Sequence, residues 1–456
     1  LEEYYEVLAH HYGRSGNKDK AVEYLDLANQ KAARANAMEE AKRYFDEAMT
    51  LLDTLPETER NHHRRIALLV NQGAVMLLLN KYPEYYDLLT RYEAMAVRVG
   101  DQGLLGALYA RLGWGEYVFG YFNQAIQTLA KAAEFCEAAG NAEDAGLAYE
   151  VWEWSHMWKG DYDQVLTLKE DVLRMMAQRF NLRWYAWAFD AASLAHTALG
   201  HWDHAVEDGH KALRAGEEFS DPSVISFVAM ILSWAYTARG DLVRALEYAE
   251  LGVRNALTPA DKNWGQSVLG WAWGRAGEPR KGVELLAEGL AINRSGHPAD
   301  KGLAQSAHVP VEIWQLLFLG ECYWLAGESD KARQTLEELL ELANRCGAKF
   351  YLGSAHRLLG EIALTTDPIQ VAAPLAAPHF EHSIAILQQI KAENELALAY
   401  AGYGRLHQQQ GHATQAREYL TRALEIFERL GTLGEPDRVR QTLADLPTCF
   451  QGDPTA

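Results

Sequence analysis

Proline is scarce in this chain, 13 residues in 456. So few helix breakers leave long stretches free to coil, and the plentiful Ala, Leu and Glu favour that state. Cysteine is scarcer still. Cys136, Cys322, Cys346 and Cys449 are the four, and no two share a short metal-ligand spacing. Reduced thiols in a cytoplasmic protein are the expectation. No stretch approaches the roughly 18 apolar residues that a membrane helix needs. Positive charge is in deficit: 43 Lys and Arg against 62 Asp and Glu leave a formal net charge of −19. Such a surface repels phosphate backbones and anionic lipid, so neither nucleic acid nor membrane is expected as a partner.

Motifs that carry chemistry are missing as well. There is no Gly-x-x-x-x-Gly-Lys-Ser/Thr phosphate loop, no His-Glu-x-x-His, no Cys-x-x-Cys and no nucleophile elbow. His201, His204 and His210 gather near one turn, and the pairs His10/His11 and His62/His63 are adjacent. Turn histidines in solvent are the expectation for all of them. The chain is expected to be no enzyme and to hold no cofactor and no metal.

What the chain has is a beat. Gly120, Gly160, Gly200 and Gly240 lie 40 residues apart, each followed five residues later by a small or β-branched residue, Ala125, Val165, Ala205 and Ala245. A fixed period of this size marks a stacked array in which each unit buries its neighbours. In the clearest window, Leu108, Leu112 and Val118 share one helix face, Gly120 ends that helix, and Ala125, Leu129 and Ala132 line a second. Gly113 lies inside the first helix, where glycine costs about 1 kcal/mol relative to alanine. Close approach of a neighbouring helix is the reason to expect it there. The pattern returns at Gly270/Gly277/Gly282, at Gly320/Gly327/Ala332 and at Gly404/Gly411/Ala416.

These hairpins resemble tetratricopeptide repeats. That family's template has a small residue and an aromatic in helix A, a turn glycine, then small residues flanking an aromatic in helix B. It maps onto Gly320, Tyr323, Gly327, Ala332 and Leu336, and onto Ser233, Tyr236, Gly240 and Ala245. A helical period of 40 also fits HEAT or armadillo units, but the glycine-then-alanine turn favours the tetratricopeptide reading. The implied fold is all-α, an α-α superhelix (solenoid) of about eleven hairpins over 1–445, followed by a tail at 446–456. The units are expected near 1–30, 31–58, 63–98, 103–140, 143–178, 183–218, 223–258, 263–294, 311–347, 350–392 and 395–432, with turns including Asn36, Asn80 and Pro368. The polar segment 295–310 and the proline-bearing segment 365–378 are expected as loops.

The opening, LAHHYGRSGNKDKAVEYLDLANQKAARANAMEEAKRYFDEAM, is similar to the start of the helical array that follows the ATPase module in large bacterial signalling proteins, among them class III nucleotidyl cyclases. In those proteins the array senses a ligand or partner and restrains the ATPase. The resemblance implies a sensor or scaffold region of a longer protein with an ATPase or cyclase domain attached. A stand-alone adaptor for a peptide or protein is the alternative.

The register also stacks side chains. Trp114, Trp154, Leu194, Trp234 and Trp271 fall in one slot. In the resembled family this slot faces the concave groove, with Glu150, Asp190 and Met230 four residues before it and Tyr117 and Met157 three after. Trp158 and Arg275 follow at the groove edge, and Arg357, Glu361 and Arg405 continue the stripe. An aromatic ladder flanked by acids suits a protein, peptide or flat small ligand, and the carboxylates favour a basic one. The same aromatics are also readable as core between repeats, which is the commoner fate of aromatic stripes at helical spacing. A second set, Trp187, Phe227, Trp264 and Trp314, is expected to pack against the preceding unit.

Overall fold

The computed structural model describes residues 2–79, 81–178, 180–295, 308–366 and 368–447. Among these residues the protein is all-helical. The helices are α1 (Tyr5–Arg14), α2 (Lys18–Arg34), α3 (Met38–Asp53), α4 (Glu59–Val70), α5 (Gly73–Leu78), α6 (Tyr82–Val99), α7 (Gln102–Val118), α8 (Phe122–Ala138), α9 (Ala142–Lys159), α10 (Tyr162–Gln178), α11 (Leu182–Leu199) and α12 (Trp202–Glu218). They continue with α13 (Pro222–Arg239), α14 (Leu242–Asn255), α15 (Pro259–Arg275), α16 (Pro279–Ser295), α17 (Val309–Leu325), α18 (Ser329–Cys346), α19 (Lys349–Thr366), α20 (Ile369–Gln389), α21 (Glu393–Gln409), α22 (Ala413–Leu430) and α23 (Glu435–Ala444). None is long and apolar enough to cross a membrane. The chain divides into two compact units, 1–152 and 153–456, with the division inside α9.

Local chemistry sets the helix ends. Asp101, Asn181, Asp221 and Asp241 accept backbone N–H groups in the first turns of α7, α11, α13 and α14, and Thr258 forms a reciprocal capping box with Asp261 at the start of α15. The turn residues Gly16, Asn36, Gly120, Gly160, Gly200, Gly240, Gly277, Gly327 and Gly411 all have positive φ. Asn80 lies outside the described residues.

Within each unit, successive helices pack as antiparallel pairs. The interior glycines serve close approach. A methyl group at Gly113 would lie 2.5 Å from Leu129 of the partner helix, and one at Gly320 or Gly404 would lie 2.7 Å from Leu336 or Leu420. The leucine stands 16 residues after the glycine in every case, so one packing solution is reused. Opposite, Ala125, Ala132, Ala205, Ala212, Ala245, Ala332 and Ala416 are fully buried.

Several expectations need adjustment. The boundary expected near residue 30 falls inside α2, which runs unbroken to Arg34. The 365–378 segment is not a loop: α20 carries Pro374 and Pro378 in its interior. Both prolines lie on the exposed face, so the Gln370 and Pro374 carbonyls that lose a helical donor face water, while Ala372, Ala376 and Phe380 anchor the buried face. Of the 295–310 segment, 296–307 lies outside the described residues, and Pro310 sits in the first turn of α17, where no N–H is needed. At the C-terminal end Leu446 is buried, and 448–456 lies outside the described residues.

Candidate functional site

In the unit 153–456, the first helix of each pair also packs on the first helix of the next: α11 on α13, α13 on α15, α15 on α17, α17 on α19 and α19 on α21. These first helices form an inner wall. Each presents one stripe of residues at i, i+3 and i+7, which share a helix face. On α11 the stripe is Trp187, Asp190, Leu194; on α13 it is Phe227, Met230, Trp234; on α15 it is Trp264, Ser267, Trp271. The wall therefore has three rows.

The row expected to bind is covered. Trp234 and Trp271 are each 7% exposed, and Leu194 is buried. Phe318 of α17 stacks flat on Trp271, with ring centroids 4.1 Å apart, and meets Trp234 edge-on at 4.8 Å. Trp154, Met157 and Trp158 are buried too, with Trp158 stacked on Tyr351 of α19 at 5.2 Å. In the unit 1–152, Trp114 is half-buried against Tyr82 at 5.7 Å, and Tyr117 and Glu150 are buried.

The row expected to pack is the less covered of the two. Trp187, Phe227 and Trp264 are all half-buried and touch in sequence, Trp187 to Phe227 at 6.1 Å and Phe227 to Trp264 at 6.2 Å. The ladder continues to His308 at 5.7 Å, and Arg183 lies over the Trp187 ring at 4.9 Å. Trp314, the fourth member of that set, is buried. Between the two rows lie Asp190, Met230 and Ser267, all buried.

The lower end of the wall closes on itself. α21 packs on α11, and the N-terminal turns of α19 and α21 meet the C-terminal halves of α11, α13 and α15. They enclose a cavity of about 50 Å³ whose walls include Trp234, Trp271, Phe318, Tyr351, Arg275 and Arg357. Its charges are paired. Glu321 accepts from Trp271 Nε1 at 2.6 Å and from Arg275 at 2.9 Å, and Arg357 donates to Glu395 at 2.9 Å. Beside it, Arg405 pairs with Glu361. Burial raises the Glu321 pKa, but Arg275 and Arg357 outweigh it and hold the carboxyl below its ordinary value. Glu321 thus stays a carboxylate at neutral pH and holds Arg275 in place.

The seam is made at three turns. A Cβ at Gly160 would lie 3.1 Å from Ile390, one at Gly200 2.7 Å from Leu430, and one at Gly240 2.6 Å from the Leu433 carbonyl oxygen. Leu433 N–H donates to the Arg239 carbonyl at 2.8 Å, and Asn394 Nδ2 to the Ala238 carbonyl at 3.4 Å. Sequence reasoning placed those glycines as turn residues and missed their second partner. The contacting residues stand about 200 positions apart, so no local signal exists. Phe350, Tyr351 and Ser354 of the far wall were missed for the same reason.

His201 and His204 are exposed, and His210 pairs with the Tyr248 hydroxyl at 2.8 Å. Among the described residues, no group of three or more His, Cys, Asp or Glu is arranged to hold a metal ion. Cys136, Cys322 and Cys346 are buried free thiols, and Cys449 lies outside the described residues.

The family model described as tetratricopeptide repeat matches residues 316–346 and 397–429, which span α17/α18 and α21/α22. The chain thus contains tetratricopeptide repeats. No curated protein sequence matches it. Among solved structures it is similar to a Rap protein complexed with competence and sporulation factor, at 13% identity over 90% of this chain and 98% of that one, with a TM-score of 0.46. It is also similar to Cut9–Hcn1, an APC/C hetero-tetramer, at 13% identity over 97% and 89% of the two chains, with a TM-score of 0.44. The apo form of RapI aligns at 12% identity over 62% and 97%, with a TM-score of 0.43.

Proposed function

We propose that this chain is a non-catalytic scaffold that binds a protein or peptide along the inner wall of the unit 153–456. The observation that carries this reading is the half-buried ladder Trp187–Phe227–Trp264, the less covered row of the wall. Three large rings in line across the first helices of three successive pairs offer a partner wide contact area at low entropic cost. The row beneath cannot serve the same purpose without displacing Phe318 and Tyr351. The tetratricopeptide hairpins supply the rigid frame on which such a wall is built.

The finer reading is a cytoplasmic sensor region of a larger bacterial signalling protein, with an ATPase or nucleotidyl cyclase domain in the same polypeptide. It rests on the resemblance of the opening segment. A coding sequence that carries a phosphate-loop ATPase upstream of Leu1 supports it; an initiating Met directly before Leu1 favours the stand-alone adaptor.

The ladder is tested by selecting peptides from a displayed library against the intact chain and measuring their affinities for Trp187→Ala and Phe227→Ala. Each substitution is expected to weaken binding by roughly 10- to 100-fold, the range of an aromatic hot spot. Selected peptides that bind both variants as well as the parent overturn the reading.

A further inference from the structure

His356 of α19 and His379 of α20 meet across one hairpin. Their Nδ1 atoms stand 2.9 Å apart, a hydrogen bond in which one ring donates and the other accepts. Their ring centroids lie 5.2 Å apart, and His382, one turn beyond His379, places its own centroid 5.2 Å from that of His356. A histidine Nδ1 accepts only while its ring is neutral. The bond therefore survives one proton on the pair and not two.

The packing presses the rings together. His356 lies three residues after Gly353 and four before Gly360. A methyl group at Gly353 would lie 2.6 Å from Leu387 of α20, and one at Gly360 2.8 Å from Phe380. The two backbones are thus close on either side of His356, and the rings cannot draw apart unless the helices part. α20 is also short of backbone bonds at this place. Pro378, next to His379, and Pro374 one turn earlier each remove a donor.

The charges that reach these rings have one sign. Burial, then His379 and His382, hold the His356 pKa down to about 4. Burial, then His382 and Arg333 of α18, lower that of His379. Among the described residues no carboxylate offsets them at either ring. Glu312 and Glu321 of α17 pair with Arg294 and Arg275. Glu395 of α21 pairs with Arg357, Glu361 of α19 with Arg405, and Glu381 of α20 accepts from the Tyr403 hydroxyl of α21.

We propose that His356, His379 and His382 form an acid-sensitive clasp between α19 and α20, closed while at least one of the bonded rings is neutral and opened when both are charged. Opening it frees the helix that carries Tyr351, whose ring stacks on Trp158 and covers the lower aromatic row. A histidine held below its ordinary pKa of about 6.5 takes up a proton when its site opens. Opening is therefore costliest at neutral pH and grows easier as pH falls from about 6.5 toward 4. Peptide binding to the upper row plays no part in this, so the two readings fail independently.

Hydrogen exchange of the intact chain, read by mass spectrometry at pH 7.5 and pH 5 and corrected for intrinsic rates, measures such opening segment by segment. Helices α13 and α14 carry no histidine and serve as the internal reference. In the parent, protection of α19 and α20 should fall about tenfold or more beyond any fall in the reference, the scale set by one histidine displaced this far and read at pH 5. In His356→Gln/His379→Gln the amides can still pair but cannot titrate, and the excess should shrink to within about twofold. If the double variant loses its helical signal at pH 7.5, His379→Gln alone is read instead and should lose most of the excess. Protection of α19 and α20 that is equal at the two pH values overturns the clasp. So does an excess that persists in the variants. A fall shared equally by α13 and α14 is global acid unfolding and overturns it too.

Discussion

Trp271→Ala should destabilise the protein by about 3–5 kcal/mol, the cost of deleting a buried aromatic. The ring is 7% exposed, lies flat on Phe318 and touches Trp234 at 6.0 Å. Its Nε1 also donates to Glu321, a buried carboxylate that would keep Arg275 but lose its neutral donor. Removing the ring opens a void and leaves part of a buried ion network unsatisfied, and the two effects add. Trp264→Ala is the natural comparison: same residue type, same helix, two turns earlier, half-buried. Truncation there should cost less, about 1–2 kcal/mol, because part of that ring already meets water. Urea titration followed by circular dichroism checks both. Equal losses would mean that the lower and upper rows are covered alike, contrary to the geometry of Phe318.

Gly240→Val should cost on the order of 3 kcal/mol, from two sources. The backbone stands at φ +94°, a region that a β-branched residue reaches only with strain of about 1–3 kcal/mol. A Cβ would also drive into the Leu433 carbonyl oxygen at 2.6 Å, and backbone gives way less readily than the end of a side chain. Gly277 isolates the first effect. It has φ +97°, and a Cβ there would meet nothing within 4 Å. Gly277→Val should therefore show the strain alone, and the excess at Gly240, about 1–3 kcal/mol, reports the seam between the Gly240 turn and Leu433. Thermal melts of the two variants side by side make the comparison. Identical shifts would show that the C-terminal hairpins do not rest on that turn.

The turns were legible because their chemistry is local. A helix that must stop and reverse wants a residue at positive φ, and glycine or asparagine supplies it, as at Gly120, Gly327 and Asn36. The interior glycines were legible for a related reason: Gly113 only makes sense if another helix comes close, and Leu129 does. Pro374 and Pro378 misled because proline's penalty depends on where the freed carbonyl points. On an exposed face water answers it, and a buried stripe of Ala372, Ala376 and Phe380 holds the helix.

The two aromatic rows could not be ranked from sequence. Both have helical spacing, and each lies on the inner side of the first helices. What separates them is a set of side chains from far along the chain, Phe318 and Tyr351, which cover the lower row where the C-terminal hairpins return to α11. A stripe is core or surface by virtue of what lands on it, and that is a tertiary fact. Asp190 shows the same limit. Its position in the stripe was readable, but its burial without a partner was not.

Binding along the inner wall depends on which of its rows faces water. Hydroxyl-radical footprinting of the intact chain, read by mass spectrometry at each aromatic residue, measures this directly. Trp187, Phe227 and Trp264 should oxidise readily, and Trp154, Trp234 and Trp271 should be protected. Oxidation of Trp234 and Trp271 at rates matching Trp187 would place the lower row in solvent and contradict the closed inner wall.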